Sequence, residues 1–161
     1  MDLSSNWDKI RLHFNKSFRS NFHVSIASVT SDNIPTVTPI GSLFLNNDQT
    51  GFYFEKYPTK LPMYSKINKK ICVLAVNSNR WFWINSLFKG RFSSYPGIKL
   101  YGKLGEKRKA TEIDIKRLNR RMKMTKGMKG HKYLWGSMTM VREIEFTKAE
   151  QINLEKMTDK I

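Results

Sequence analysis

TVTPIGSLFLNNDQTGFYFEKYPTK, residues 36–60, is the stretch on which the fold turns. TVTPIGSLFL (36–45) is extended, with Pro39 and Gly41 interrupting it. Proline has no N–H to give to a sheet ladder, so this strand lies at an edge or carries a bulge there. NNDQTG (46–51) reads as a turn and GFYFEKY (51–57) as a second strand. Thr59 then stands at the mouth of a helix with Lys60 behind it. A helix start presents free N–H groups and the positive end of the dipole, and a hydroxyl and an ammonium add to both. The order places a phosphate-sized anion site beside a hairpin whose backbone can face a flat ring. Taken alone, the same residues also fit a helix cap followed by a surface lysine.

Upstream, Ser5 and Asp8 have the spacing of a capping box, and Trp7, Ile10, Phe14 and Phe18 share one face of a helix over 5–20. HVSIASVT (23–30) is a strand that ends in the turn Ser31, Asp32, Asn33. Downstream, Thr59 to Lys69 is a short helix with Leu61, Tyr64 and Ile67 inward, and KICVLAVN (70–77) is apolar on both faces, as a central strand is. Cys72 in that run reads as a buried thiol. Residues 78–96 read as a long irregular loop carrying Trp81, Phe82, Trp83, Phe88, Phe92 and Tyr95. So many aromatics in a loop must cover a barrel end, a partner subunit or a ligand.

GIKLYGKLGE (97–106) alternates as a strand, with Ile98, Leu100 and Leu104 on one face. Thr111 and Asp114 form a second capping box, opening a helix over 111–124 with Ile115, Leu118 and Met122 inward. Its outer face, Lys116, Arg117, Arg120, Arg121 and Lys123, is strongly basic, and Gly127 or Gly130 ends it. SMTMVREIEF (137–146) is the sixth strand, and the residues after it a polar tail or short terminal element. The pieces predict a mainly β (α+β) antiparallel barrel with short flanking helices.

The chain of 161 residues, 40% apolar, suits a single domain over 1–161 with a full core. No apolar run is long enough to span a membrane, so a membrane is not among the expected partners, and a cytoplasmic location is expected. The histidines His13, His23 and His131 are scattered and the cysteine is single, so no metal site is expected. The net charge of +16 is concentrated in residues 99–132, which hold 13 Lys or Arg against 3 acids. Such a field draws phosphates, nucleotides or nucleic acid, and it also fits a solvated surface.

In order and spacing these pieces resemble the pyridoxamine 5′-phosphate oxidase-like, FMN-binding split-barrel family, from about His23 to Phe146. HVSIASVT, SDNI and PTVTPIGSLFL resemble its opening hairpin. GFYFEKYPTK, a helix and NKKICVLAV resemble its strand, Ser/Thr-Arg-Lys, helix and apolar strand, and GIKLYGKLGE resembles the strand that brings the barrel back. The resemblance implies a six-stranded split barrel (23–146), a homodimer, and FMN as cofactor. By position it implies Thr59 and Lys60 at the FMN phosphate, Phe54 and Glu55 along the ribityl chain, and Ile40, Gly41 and Ser42 at the ring edge. Leu61 stands where a second basic residue often follows, and Ile40 where the true oxidases carry an Arg. Pyridoxamine phosphate oxidation itself is therefore not expected.

The expected function is that of an FMN-binding flavoprotein, an oxidoreductase acting on a small molecule. Catalytic residues are not identified. Trp81, Trp83 and Arg91 are candidates for the substrate side of the ring, with a dimer or core plug as the other role for those aromatics. Two alternatives stand beside it. One is a nucleic-acid-binding module using the basic helix and the aromatics, which is not favoured. The other is a split barrel adapted to haem or a deazaflavin.

Overall fold

The computed structural model describes residues 1–161. Seven strands form one antiparallel sheet: β1 (Val24–Val29), β2 (Pro35–Ile40), β3 (Leu43–Leu45), β4 (Thr50–Phe54), β5 (Lys70–Val76), β6 (Gly97–Lys109) and β7 (Met140–Gln151), in the order β2-β1-β5-β6-β7-β4-β3. The expected class holds. The strand count rises from six to seven because the predicted strand 36–45 breaks at Gly41 and Ser42. Its two halves end up at opposite edges of the sheet.

That break dictates the shape. Laid flat, seven strands spaced by about 4.8 Å would hold β2 and β3 about 29 Å apart. Only Gly41 and Ser42 join them, and three peptide units reach at most about 11 Å. The sheet must therefore curl until its edges meet. No ladder joins β2 to β3, so the barrel stays split. Pro35 and Pro39 lie on the edge strand β2, where a missing N–H costs least.

The inner face of the curled sheet packs Ile26, Val73, Leu100, Tyr53, Ile144 and their neighbours into the main core. Helix α1 (Trp7–Asn21) lays Trp7, Ile10, Phe14 and Phe18 against it. Polar pins hold the helix there: Trp7 Nε1 donates to Asn46 O at 2.8 Å and Asn21 Nδ2 to Val76 O at 2.6 Å. The buried His13 ring lies 2.9 Å from Ala75 O, and burial lowers its pKa. The expected capping box at Ser5 and Asp8 does not form. Ser5 bonds back to Asp2, Asp8 pairs with Arg11 at 3.2 Å, and the helix starts at Trp7.

Helix α2 (Lys60–Tyr64) links β4 to β5, and α3 (Arg80–Lys89) links β5 to β6. The expected loop 78–96 is thus helical over 80–89 and remains a loop beyond Gly90. Asn79 caps α3 by accepting from Phe82 N at 3.0 Å, and Gly90 ends it in the left-handed region at φ 63°. Two further helices, α4 (Glu112–Arg121) and α5 (Lys129–Trp135), stand between β6 and β7. The Thr111–Asp114 capping box forms in full. The expected polar tail is in part strand, since β7 continues to Gln151 beside Ile98. The long β6–β7 pair shifts register at Gly102, where a Cβ would come within 2.2 Å of Glu145 O. Cys72 is half-buried rather than buried, and burial raises its thiol pKa. No helix is long and apolar enough to cross a membrane.

A second core lies on the outer face of β3, β4 and β7, where Phe44, Phe52, Phe54, Met138 and Val141 are covered by Leu118 of α4. Here α4 departs from expectation. Ile115 is exposed, and Arg117 and Arg121 turn inward. Asn46 N bonds to Thr50 O, so by antiparallel alternation the carbonyls of Leu43 and Leu45 point away from β4, to the open edge. Arg117 donates to Leu45 O at 2.7 Å, and Arg121 donates to Leu43 O. Their guanidinium groups stack on Phe44, that of Arg121 at 3.6 Å. Two of the five cations of the supposed solvent face therefore serve to satisfy a sheet edge, which weakens the case for a nucleic-acid groove on this helix. Arg121→Ala will lower stability by roughly 2 kcal/mol in urea denaturation, from a charged hydrogen bond and a stacked cation lost together. Lysine will restore only part of it, lacking the planar fork.

Candidate functional site

The sheet break at Gly41 and Ser42 organises the site. The Ile40 side chain is buried in the barrel. At Gly41 the chain passes so close to its surroundings that a Cβ would lie 3.1 Å from Phe22 O and 3.2 Å from the Trp135 ring. Ser42 is buried and donates its hydroxyl to Phe54 O at 3.4 Å. The three expected ring-edge residues and the end of β4 are thus adjacent.

Alternation along β4 then separates Phe54 from Glu55. Phe54 turns its ring into the second core, edge-on to Phe44 and Phe52. Glu55 turns the other way, beside the Tyr53 hydroxyl at 3.3 Å. Its side chain is 6% exposed and accepts from both Nε and Nη2 of Arg142, while Lys107 Nζ approaches to 3.2 Å. Burial pushes the Glu55 pKa up, but bonds to Arg142 and Lys107 outweigh it and hold the carboxyl below its ordinary range. Arg142 is raised by the same pair, and Tyr53 is raised by burial and by Glu55.

Two open clefts are lined by residues that follow β4, and Arg142 itself lines the second. The first, about 460 Å³, is lined by Lys56, Lys129, Lys132, Tyr133 and Ser137. Lys56 Nζ donates to Tyr133 O at 3.1 Å and the Tyr57 hydroxyl donates to the same carbonyl, which clips α5 to the loop after β4. The second, about 410 Å³, gathers Thr59, Ser65, Lys66, Lys69, Glu106 and Arg142. Lys69 is paired with Glu106 at 3.7 Å and Arg142 with Glu55, whereas Lys66 and the neighbouring Lys60 make no ion pair. Thr59 makes no capping bond, so its hydroxyl is uncommitted. Leu61 lies in the main core, which explains why no cation follows Lys60 there.

The remaining candidates lie elsewhere. β5 runs from Lys70, next to the second cleft, to Val76, next to α3, a distance of about 20 Å. Trp83 Nε1 donates to Asn77 O at 2.7 Å and packs edge-on against Phe92. Trp81 stands in solvent, and Arg91 is exposed beyond Gly90. None of the three lines either cleft. Sequence reasoning missed Lys107, Lys129, Lys132 and Tyr133 as neighbours of the site. The only local signal was the three-residue spacing of Lys129 and Lys132, which puts them on one helix face.

No protein-family profile matches the sequence, and no curated protein matches it. Solved structures match over most of the chain. An FMN-binding protein from Syntrophomonas wolfei subsp. wolfei superposes with a TM-score of 0.59 at 14% identity, covering 93% of this chain and 94% of that one. HutZ, the haem storage protein from Vibrio cholerae, gives 0.55 at 9% identity over 94% and 95%. A candidate pyridoxamine 5′-phosphate oxidase from Listeria innocua gives 0.52 at 15% identity over 94% and 99%. Identities of this size carry the fold and no ligand.

Proposed function

Starting from the split-barrel fold that this chain shares with the pyridoxamine 5′-phosphate oxidase-like proteins, we propose that it binds FMN across the β2–β3 break and is a flavin-dependent oxidoreductase of a small molecule, working as a homodimer. One observation carries the reading. The strand break at Gly41 and Ser42 lies beside the end of β4 at Phe54, and the chain that follows brings an uncommitted hydroxyl, Thr59, and two unpaired ammonium groups, Lys60 and Lys66. A hydroxyl and cations without a competing free acid are the donor set a phosphate monoester takes. In this reading Thr59, Lys60 and Lys66 hold the phosphate. The backbone from Ile40 to Ser42 orients the ring edge. Phe54 and Glu55 contribute by fixing the strand, since both side chains are already engaged. When bound, the flavin supplies the redox chemistry, and the protein positions and tunes it.

Titration with FMN, followed by quenching of flavin fluorescence, tests this. Saturable binding is expected, with riboflavin weaker because it lacks the phosphate. The pair Lys60→Ala and Lys66→Ala should weaken FMN about tenfold, the size of one charged hydrogen bond, and leave riboflavin unchanged. Failure to take up FMN would end the proposal. Haem is the second reading, favoured by the likeness to HutZ and by the exposed His23 ring next to Phe22, bonded through Nδ1 and leaving Nε2 for an axial bond. A Soret band lost in His23→Ala would establish it instead.

A further inference from the structure

Helix α3 is apolar on both sides, and only one side is packed. Phe82, Trp83 and Ser86 face the protein, with Phe82 and Trp83 against Phe92 at 5.3 and 5.1 Å. On the opposite side Trp81, Ile84, Leu87 and Phe88 fall within an arc of roughly 120°, at about 100° per residue. Trp81 is 70% exposed and Phe88 92%. A helix apolar all round is normally buried, so this stripe lacks its cover. Cations frame it: Arg80 at the helix start, Lys89 at its end and Arg91 just beyond. From Lys56 to Gly105 the chain contains no Asp or Glu at all.

We infer that α3 is a membrane-surface helix, which seats Trp81, Ile84, Leu87 and Phe88 among the acyl chains of an anionic bilayer while Arg80, Lys89 and Arg91 meet its headgroups. Aromatic and aliphatic side chains on one face with Lys or Arg beside them are the pattern of helices that lie in the interface plane. Charge decides between the possible covers. A second copy docked through this face in two-fold symmetry would set the cations of one helix against those of the other, Arg80 against Lys89 where the helices run antiparallel, and residues 56–105 supply no acid to neutralise them. The acids nearest in the fold, Glu155 and Asp159, sit on the segment bonded to Phe92 on the packed side of α3. An anionic lipid surface neutralises all three. This contact lies in the interface and requires no span.

Co-flotation of the full chain with vesicles tests the inference, using phosphatidylcholine alone and phosphatidylcholine mixed with phosphatidylglycerol. Binding to the mixed vesicles is expected, reduced at least about tenfold in the double variant Trp81→Ser, Phe88→Ser, and weakened by salt. The triple variant Arg80→Gln, Lys89→Gln, Arg91→Gln should lose the preference for the anionic vesicles. Circular dichroism identical to the parent establishes that the variants are folded. The inference is overturned if the parent floats with neither vesicle, or if the Trp81→Ser, Phe88→Ser variant floats equally well. It is also overturned if that variant turns a dimer into a monomer by sedimentation, which would assign the stripe to a second copy.

Discussion

Glu55→Ala will destabilise the protein by about 3–5 kcal/mol, because it leaves the Arg142 guanidinium charged, half-enclosed and without its carboxylate. Lys107 contributes little to that figure, since its side chain is 44% exposed and its charge is screened by solvent. The loss is a penalty for stranding a charge and does not measure the net worth of the pair. Replacing both partners, Glu55→Leu with Arg142→Leu, should therefore be milder than Glu55→Ala alone. Urea denaturation of the single and double variants measures the difference; a double variant worse than the single would mean that Arg142 does not depend on Glu55. The pair also sets a pH dependence. The folded-state pKa of Glu55 lies below its unfolded value, so its contribution is complete above the ordinary carboxylate range and is lost as pH falls through the folded pKa. Asp114, held low by Arg108 and the Thr111 cap against the opposing effect of burial, loses its contribution in the same direction. Stability should fall on acidification below about pH 4.5, and Glu55→Ala should flatten that fall.

Phe54→Ala will cost about 3–5 kcal/mol, the usual loss on emptying a buried aromatic site. The ring fills the space between Phe44, Phe52 and Leu118 under α4, so both transfer and cavity terms apply. Phe54→Leu should recover more than half. The result distinguishes two roles for one residue. If the side chain is core, the folded variant keeps its FMN affinity and loses only stability. An FMN affinity that drops tenfold with denaturation unchanged would place the ring at the cofactor instead.

Glu55 and Phe54 show how much of the site was legible in the sequence. Their place after a β hairpin and before a Thr–Lys helix start follows from local pattern, and the structure keeps that order. Their partners do not follow. Arg142 lies 87 residues from Glu55, and Lys107 comes from a different strand again. Nothing in GFYFEKY distinguishes a carboxylate aimed at a ligand from one aimed at a distant arginine. The helix α3 was missed for a different reason. Its two faces are both apolar, so the 3.6-residue periodicity that marks a half-buried helix is absent. The terminal signals, Asn79 and Gly90, were there to be read.

By itself the sequence determined the strands, the α1 face that seals the main core, the Thr111 cap and the interruption at Gly41, because each depends on neighbours within a few residues, whereas Pro39, read as a second interruption, stays in β2 opposite Ser25. Only the tertiary structure decided that this interruption is the point where the chain steps from one edge of the sheet to the other. That step requires all seven strands to be in place, since it is the curl of the whole sheet that brings edges about 29 Å apart to within two residues of each other. The inward turn of Arg117 and Arg121 was decided at the same level. A helix sequence carries its own periodicity, but the unsatisfied carbonyls of Leu43 and Leu45 exist only once the barrel has left β3 at an edge.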